Sequence, residues 1–207
     1  MADHTLLANY KTHYGIAGTG SDALLNSLIP KVVRKIRTLT NGLTLETGAS
    51  AVTEVHDGDG YSSAFYTRQR PIRSITTIHE STAVPRAYDA DSLVDSDTYG
   101  HVALTGKVRK LAGKFFATGS VWAKGYDTVQ IIYVPGYADE DAIPDDLLEA
   151  LYLWVRVSQL RIENGREGIR SVNAADGSVT YELAPIPAEV KPVLEAWTPL
   201  SLGGQYA

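Results

Sequence analysis

The chain has 207 residues, of which 44% are hydrophobic and 21% are charged, and its formal net charge is −5 without a single cysteine. This composition is typical of one globular domain, or of one domain with a large insertion, and it argues against a disordered chain. Without cysteine there are no disulfides, no thiol catalysis and no cysteine-ligated zinc. The sequence also shows no signal peptide and no apolar run of about 18 residues, so we expect no membrane contact.

Two helices are predicted in the first 43 residues. Leu6 and Tyr10 belong to a spacing that suits one face of a short helix, with Thr5 as its N-cap. After a Gly-rich break, an apolar stripe predicts a second helix over residues 21–37, which Pro30 should kink.

From about residue 44 to residue 134 the apolar period changes to 2, which is typical of strands. Two alternating segments flank the sequence DGDG at residues 57–60, and we expect them to pair as a hairpin through that turn. Further short strands are predicted in RPIRSITTIHE, AVPRAYDADSL, TYGHVALTG and DTVQIIYVPGY. The middle of the chain is therefore predicted to be an antiparallel sheet or a small barrel.

A strongly apolar helix is predicted over residues 144–163. Pro144 stands near its first position, and Asp145 and Asp146 in its first turn favour the helix dipole. Because little of its circumference is polar, we expect it to pack against more than one neighbour. A short extended segment is predicted at SVTYEL, and a last helix over residues 187–197.

Charge is distributed unevenly along the chain. Residues 1–43 hold five basic and two acidic side chains, whereas residues 128–207 hold five basic and twelve acidic ones. Opposite charge at the two ends could help one subunit meet the next, and it argues against a protein that wraps nucleic acid with a broad basic face.

Motifs for cofactors and metals are weak. The sequence GTGSD at residues 18–22 opens a helix, as phosphate-binding loops do, but no strand precedes it and no Gly-Lys-Ser/Thr follows it. A loop that ends in the N-cap Ser21 is the preferred interpretation. Acidic turn residues could ligate calcium, but they lack EF-hand spacing, so polar turns explain them equally well and we predict no metal and no cofactor. These residues are Asp57, Asp59, Asp89, Asp91, Asp95 and Asp97.

Two histidines have an acidic neighbour, in the pairs His56–Asp57 and His79–Glu80. Neither pair belongs to a known catalytic motif, and neighbouring residues of a strand point to opposite faces. We therefore predict no catalytic dyad.

Three arginines, Arg68, Arg70 and Arg73, flank Pro71 and could contact phosphate. A solvated strand edge protected by charge and proline is the preferred interpretation. The chain also has twelve tyrosines and three tryptophans, and because these side chains are enriched at protein interfaces, their number favours oligomerisation.

Several local sequences resemble, in their order, the head-to-tail connector (adaptor) family of tailed bacteriophages and gene transfer agents. They are LLANYKTHYGI before SDALLNSLIPKVVRKI, DGDG before RPIRSITTI, VQIIYVPGY leading into IPDDLLEALYLWVRVSQLR, and SVTYEL before a last helix. The resemblance implies an α+β fold, in which a small α-helical bundle is built from the N- and C-terminal segments and an antiparallel β domain is inserted between them. The implied helical parts are residues 1–43 and 135–207, and the β region is residues 44–134.

The resemblance also implies a function in virus assembly. Such proteins are structural head-completion proteins and not enzymes, and they form a ring of about twelve subunits below the portal. The ring extends the channel through which genomic DNA passes without sequence-specific binding, and it docks a stopper or tail-completion protein. The implied location is the head–tail junction of the virion, and the host cytoplasm during assembly. In this family the C-terminal segment reaches the portal; the residues expected at that interface are Pro187, Trp197, Leu200, Leu202 and Tyr206.

We expect the helices over residues 21–37 and 144–163 to form the subunit core. The predicted core residues are Leu25, Val32, Leu147, Leu151 and Trp154. One alternative is a ligand- or receptor-binding β module of a phage tail, which would need exposed aromatic residues clustered on the 44–134 sheet. Another is a hydrolase with a carboxylate pair such as Asp139 and Asp145, although nothing in the sequence places two acids across a cleft.

Overall fold

The protein divides into two compact units. One consists of Met1–Thr47 and Asp139–Ala207, and the other of Gly48–Ala138; we call them the helical unit and the β unit. The computed structural model describes residues 4–111, 121–164, 169–173, 178–181 and 185–198. Within these ranges there are four α-helices, two antiparallel three-stranded sheets and one two-stranded sheet, which confirms the predicted α+β class.

The helices of the helical unit are α1 (His4–His13), α2 (Asp22–Leu39), α3 (Asp145–Glu163) and α4 (Val190–Ala196). Helix α3 contacts both α2 and α4, as its nearly continuous apolar surface requires. Helix α1 also reaches α3, because the Tyr10 hydroxyl donates a hydrogen bond of 2.8 Å to Oε1 of Gln159. Among the described residues, no helix is long and apolar enough to cross a membrane.

Apolar side chains of α2 and α3 make up much of the core of the helical unit, to which α1 and α4 also contribute buried residues. Leu25, Val32, Leu147 and Leu151 have no exposed surface, and Trp154 is 1% exposed. Each large apolar side chain buried in this way stabilises the fold by about 1.5–3 kcal/mol.

The two predicted N-caps have different outcomes in the structure. Helix α1 begins at His4, so Thr5 lies inside the helix and the prediction that it is the N-cap is wrong. Ser21 does occupy the N-cap of α2, but its side chain makes no capping hydrogen bond. Its φ and ψ of −99° and 0° are not the extended values with which a serine side chain usually caps a helix.

The described part of the β unit, residues 48–111 and 121–138, contains six strands: β1 (Val52–Gly58), β2 (Ala64–Tyr66), β3 (Ile72–Glu80), β4 (Tyr99–Val102), β5 (Lys107–Lys110) and β6 (Gly125–Pro135). They pair antiparallel in a first sheet with the order β1–β6–β3 and a second sheet with the order β2–β5–β4. Side chains of both sheets share one core, which consists of Ile72, Ile78, Val108, Trp122, Val129, Ile131 and Tyr133.

The predicted hairpin around DGDG is wrong, because β1 pairs with β6 and β2 pairs with β5. The glycine at position 58 is needed for another reason. Gly58 lies opposite Gly125 in the first sheet, and a Cβ at Gly58 would stand 1.8 Å from the carbonyl oxygen of Ala123. The DGDG segment therefore links two sheets at a point of close backbone approach.

The strand predicted in AVPRAYDADSL is also wrong. This stretch is irregular and contains a 3-10 turn over Ala90–Ser92, in which the Asp89 carboxylate accepts a hydrogen bond from Ser92 N. A side chain that satisfies a nearby backbone N–H competes with strand pairing. The described residues of the stretch pair with a strand only through an isolated bridge between His79 and Leu93.

The helical unit contains one further pair of strands, β7 (Ile169–Asn173) and β8 (Ser178–Tyr181), which pair antiparallel. Strand β8 lies in the segment SVTYEL, for which the sequence predicts an extended conformation, whereas the sequence predicts no strand at β7.

Candidate interaction surfaces

The structure separates the members of the His79–Glu80 pair. Nδ1 of His79 lies 3.1 Å from the carbonyl oxygen of Asp89. Glu80 accepts hydrogen bonds from Lys110 Nζ at 2.5 Å and from the backbone N–H of Ala123 at 2.6 Å. The two side chains thus serve different structural contacts.

His56 and Asp57 are separated in the same way. Nε2 of His56 lies 3.2 Å from Oε2 of Glu54, and the His56 ring packs on Phe65 with 4.6 Å between ring centroids. Oδ1 of Asp57 accepts a hydrogen bond of 2.7 Å from the backbone N–H of Asp127. Each histidine–acid neighbour therefore has separate partners, as the alternation of strand side chains predicts.

Glu54 is a buried carboxylate, 5% exposed, on the first sheet. It accepts hydrogen bonds from the Tyr133 hydroxyl at 2.5 Å and from the backbone N–H of Arg68 at 2.9 Å. Burial alone would raise the pKa of Glu54, but the hydrogen bonds from His56, Tyr133 and Arg68 together hold it below its ordinary value. Burial and this carboxylate raise the pKa of Tyr133, so the tyrosine stays a hydrogen-bond donor. The Glu54 carboxylate thus links β1 and β6 to the loop that follows β2.

The Gly-rich loop at residues 18–22 faces a lysine of its own chain. Nζ of Lys11 donates to the carbonyl oxygen of Gly18 at 2.5 Å and to Oδ1 of Asp22 at 2.6 Å. A carboxylate in the first turn of α2 and a carbonyl group turned towards a cation are poor features for an anion site. The loop is better explained as a connection that an ion pair holds in place.

The acidic turns of the β unit cap their own backbone. Asp59 accepts hydrogen bonds from Tyr61 N at 2.8 Å and Ser62 N at 2.6 Å, which together with the Ser62 hydroxyl lower the pKa of Asp59 to about 2. Asp95 caps its turn through Asp97 N. In the described part of the chain, no group of three or more histidine or acidic side chains could hold a metal ion.

In the acidic loop before α3, Glu140 and Asp139 both serve structural contacts. Glu140 is buried and accepts a hydrogen bond from the Tyr152 hydroxyl of α3. Asp139 accepts a hydrogen bond of 2.9 Å from Ala142 N, which closes a turn. In a hydrolase, the two carboxylates would face a substrate cleft. The contact of Asp139 with a nearby backbone N–H instead favours a structural role for this residue.

The arginines around Pro71 differ from the expected solvated edge. Arg68 and Arg73 are exposed, but Arg70 is buried, and burial lowers its pKa. The turn at Gly106 packs on this position, since a Cβ at Gly106 would lie 3.4 Å from Cβ of Arg70. The prediction of a solvated side chain is therefore wrong for Arg70.

Two of the five residues expected at a portal interface lie in described ranges. Trp197 is half-buried after α4 and donates from Nε1 to Oδ2 of Asp146 at 2.7 Å, which ties the end of α4 to the start of α3. Pro187 is half-buried in the turn that leads into α4, where its carbonyl accepts from Val190 N at 3.1 Å. Leu200, Leu202 and Tyr206 lie outside the described residues.

Three large apolar side chains are almost fully exposed at one end of the first sheet. Val84 is 91%, Tyr126 is 82% and Tyr61 is 81% exposed, and no other large hydrophobic side chain in the described ranges is exposed to this degree. Tyr61 follows β1, Val84 follows β3, and Tyr126 begins β6. Because these strands are antiparallel neighbours, the three positions lie at the same end of the sheet. We call them the apolar tip.

Hydrogen bonds hold the loops of the apolar tip together. Arg86 donates from Nε to the carbonyl oxygen of Tyr126 and from Nη1 to that of Ala83, both at 2.9 Å. The Tyr88 hydroxyl donates to the carbonyl of Asp127. An exposed apolar surface on an ordered backbone loses little entropy when it binds, so the tip is suited to recognition.

A second group of exposed apolar residues lies on the second sheet. Tyr66 and Val102 flank Lys107 in the register of β2, β5 and β4, and Leu104 is in the turn that follows β4. All three side chains are about half exposed, and Nζ of Lys107 lies 5.9 Å from the centroid of the Tyr66 ring. We call Tyr66, Val102, Leu104 and Lys107 the basic end, and we include exposed Arg68, which follows Tyr66 by two residues.

Neither surface was predicted from the sequence. The high tyrosine count indicated interfaces, but it could not separate exposed Tyr61 and Tyr126 from buried Tyr10 and Tyr133. The available signal was the position of Tyr61 directly after the turn sequence DGDG, where an apolar side chain has no strand neighbour to cover it.

Comparisons with known proteins give one consistent result, and it concerns the fold. No protein-family model and no curated protein sequence matches the chain. Among solved structures, the chain is similar to a chain in the neck of an empty GTA particle, computed with C6 symmetry, with a TM-score of 0.61 and 19% identity over 96% of this chain and 92% of that one. It is similar to a chain in the neck of a native GTA particle, computed with C12 symmetry, with a TM-score of 0.61 and 18% identity over 98% and 93%.

A chain in the virion of a native gene transfer agent (GTA) particle gives a TM-score of 0.60 and 19% identity, over 95% of this chain and 91% of that chain. The chain thus shares its fold, across nearly its whole length, with a structural component of gene transfer agent particles.

Proposed function

We propose that this chain is a structural protein of the neck of a tailed-phage-like particle, namely an adaptor that forms a ring below the portal. The observation that carries the proposal is the fold similarity to two neck chains, which covers 96% and 98% of this chain and 92% and 93% of the neck chains. The order of the sequence segments named above supports the same assignment.

The proposed mechanism is assembly, and no reaction is assigned to the chain. In a ring of identical subunits, each subunit meets the next through two different surfaces, which must complement each other. We infer a ring of about twelve subunits, whose channel genomic DNA crosses without sequence-specific contacts. The buried residues of α2 and α3 would give the helical unit of each subunit a packed core.

The proposed partners are the portal on one side of the ring and a stopper or tail-completion protein on the other. The segment over residues 184–207 is the proposed contact with the portal. Trp197 would position this segment, since its hydrogen bond to Asp146 fixes the point at which the chain leaves α4. The protein would act at the head–tail junction of the virion and assemble in the host cytoplasm.

Removal of the gene from the particle-producing genome tests the function directly. The proposal predicts DNA-filled heads without attached tails in electron micrographs, and recovery of tailed particles when the wild-type chain is supplied in trans. Normal tailed particles from the deletion strain would refute a role in the neck. Purified chain mixed with the portal protein of the same genome should add a ring with the symmetry of the particle neck, visible by cryo-electron microscopy.

A second candidate function is a ligand-binding β module of a phage tail, because exposed Tyr61 and Tyr126 lie at the same end of the β unit. Exposed aromatic residues of this kind can stack on sugars or other planar ligands. A glycan-binding screen that compares the wild-type chain with Tyr61→Ser/Tyr126→Ser tests it. Binding that the double variant loses would favour this candidate over the adaptor.

A further inference from the structure

The β unit separates its charges. Residues 64–78 and 99–111 hold six basic and no acidic side chains, whereas residues 79–98 hold five acidic and one basic. The basic segments contain β2, β4 and β5 and therefore the basic end. The acidic segment contains Val84 of the apolar tip, and three further carboxylates, Asp57, Asp59 and Asp127, are near the other two tip residues in the sequence. Two cations, Arg86 and Lys124, also lie at the tip.

The apolar tip and the basic end lie at opposite ends of β2. The carbonyl oxygens of Ser62 and Ser63 accept hydrogen bonds from Trp122 N at 3.1 Å and Lys110 N at 2.7 Å, so β2 starts beside the tip residue Tyr61. It ends at Tyr66, which pairs with Lys107. Five residues of extended chain span at most about 18 Å, so the two surfaces are close but distinct.

We propose that the apolar tip of one copy docks on the basic end of the next copy, so that neighbouring β units join head to tail. This proposal rests on the proposed ring and names one of its subunit contacts. Tyr61, Val84 and Tyr126 would cover Tyr66, Val102 and Leu104, while carboxylates around the tip would face Arg68 and Lys107. Burial of apolar side chains supplies affinity, and the opposite charges fix the orientation.

Charge favours this pairing over a symmetric one. Two tips that faced each other would bring together the three carboxylates of each copy, Asp57, Asp59 and Asp127, with two cations per copy, Arg86 and Lys124, so each tip carries an excess of one negative charge. Two basic ends would bring Arg68 and Lys107 of both copies together. Like charges placed opposite each other across an interface disfavour the wrong partner strongly. A tip-to-end contact is heterologous, and a heterologous contact closes into a ring when the rotation between copies permits.

Complementary defects test the contact. Tyr61→Ser/Tyr126→Ser removes apolar surface from the tip, and Val102→Ser/Leu104→Ser removes it from the basic end. All four side chains are exposed, so we expect both variants to keep the urea midpoint of the wild-type chain. Each variant alone should fail to self-associate, because every copy lacks the same surface. In an equal mixture, the intact apolar tip of one variant can dock on the intact basic end of the other. The mixture should therefore form a one-to-one dimer and nothing larger. A mixture that does not pair more than either variant alone would overturn the proposal.

Cysteine trapping detects the contact even when association is weak, because the chain has no cysteine of its own. A Val84→Cys chain and a mass-tagged Leu104→Cys chain are mixed and oxidised. The control replaces Leu104→Cys with Leu160→Cys, which places the cysteine on an exposed site of α3. A specific contact raises the local thiol concentration, so the mixed Val84–Leu104 dimer should exceed the control by about tenfold. Equal yields, or a majority of Val84–Val84 dimers, would contradict the head-to-tail contact.

These outcomes are separable from the function itself. If rings are seen below the portal but the mixed dimer stays at the control yield, the contact is wrong and the adaptor function stands. If the gene deletion leaves tails normally attached, the adaptor function is wrong whatever the trapping shows.

Discussion

Oε1 of Glu54 accepts a hydrogen bond of 2.5 Å from the Tyr133 hydroxyl, across 79 residues of sequence. Glu54 lies on β1 and Tyr133 on β6, which are neighbours in the first sheet. The other carboxylate oxygen accepts from Arg68 N, and the backbone N–H of Gln69 donates to the Tyr133 oxygen at 3.1 Å. One buried charge therefore orders the segment that follows β2.

Glu54→Gln should destabilise the β unit. A glutamine offers only one acceptor oxygen, so one of the donors that Glu54 satisfies would lose its partner, at a cost of about 1–3 kcal/mol. Urea unfolding followed by fluorescence reports the change, because Trp122 lies in the core of this unit. The matched control is Asp91→Asn, which replaces an exposed carboxylate of the same unit and should change the midpoint little. Equal effects of the two variants would refute a special role for Glu54.

The same carboxylate should make the stability of the β unit acid-sensitive. The hydrogen bonds to Glu54 keep its pKa in the folded protein below the ordinary value, despite burial, which acts in the opposite direction. A group with a lowered folded pKa contributes stability above its unfolded pKa of about 4.3, and that contribution is lost as the pH falls through the folded pKa. Urea midpoints between pH 7 and pH 3 should therefore fall more steeply for the wild type than for Glu54→Gln. If the urea midpoints of the two chains fell in parallel with pH, protonation of Glu54 would not be linked to unfolding.

Trp154→Ala should cost the helical unit about 3–5 kcal/mol, as truncation of a buried large aromatic side chain does. Trp154 is 1% exposed in the core between the helices. The control is Leu160→Ala on the same helix, at a residue that is 38% exposed, where the loss should stay below about 1 kcal/mol. Far-UV circular dichroism in urea measures both, and a loss below about 1 kcal/mol for Trp154→Ala would mean that the helix is not packed as the structure shows.

Helices and strands differ in how far the sequence alone predicts them. The stripe that includes Leu25 and Val32 identifies a helix and its buried face at once, because the helical period relates residues that are close in sequence. Alternation identifies a strand but not its partner. The sequence therefore predicts that β1 pairs with β2, the next strand along the chain. In the structure β1 pairs with β6, whose residues lie more than 60 positions further along. Strand β5 is four residues long and was missed.

The candidate surfaces were harder to predict than the core for a related reason. Tyr61 and Tyr126 become one surface only after β1 and β6 have paired, and a sequence pattern does not contain that pairing. Arg70 was expected in solvent because arginine is rarely buried, yet tertiary packing covers it.

Lys110→Met should loosen the contact between the two sheets of the β unit. Lys110 on β5 reaches Glu80 on β3 at 2.5 Å and lies 5.1 Å above the Trp122 ring. The methionine keeps much of the apolar stem but removes the ammonium group that donates to Glu80, while the backbone N–H of Ala123 still donates to that carboxylate. Because the pair is largely buried, we expect a loss of about 1–3 kcal/mol. Trp122 fluorescence should also shift, since its ring loses the cation. Lys107→Met is the control, because Lys107 contacts an exposed ring and its removal should change stability little.

Removal of residues 199–207 should separate folding from attachment to the portal. The described contacts of α4, including the hydrogen bond from the Thr198 hydroxyl to the Leu194 carbonyl, end at residue 198. We therefore expect the shortened chain to keep its urea midpoint but to bind the portal more weakly, because the proposed contact extends over residues 184–207. Trp197→Phe is the matched variant: it retains the ring and the full tail but loses the hydrogen bond to Asp146. It should weaken binding less than the deletion does, and pull-down with the portal protein ranks the three chains. Unchanged binding of the shortened chain would exclude the last nine residues from the portal contact.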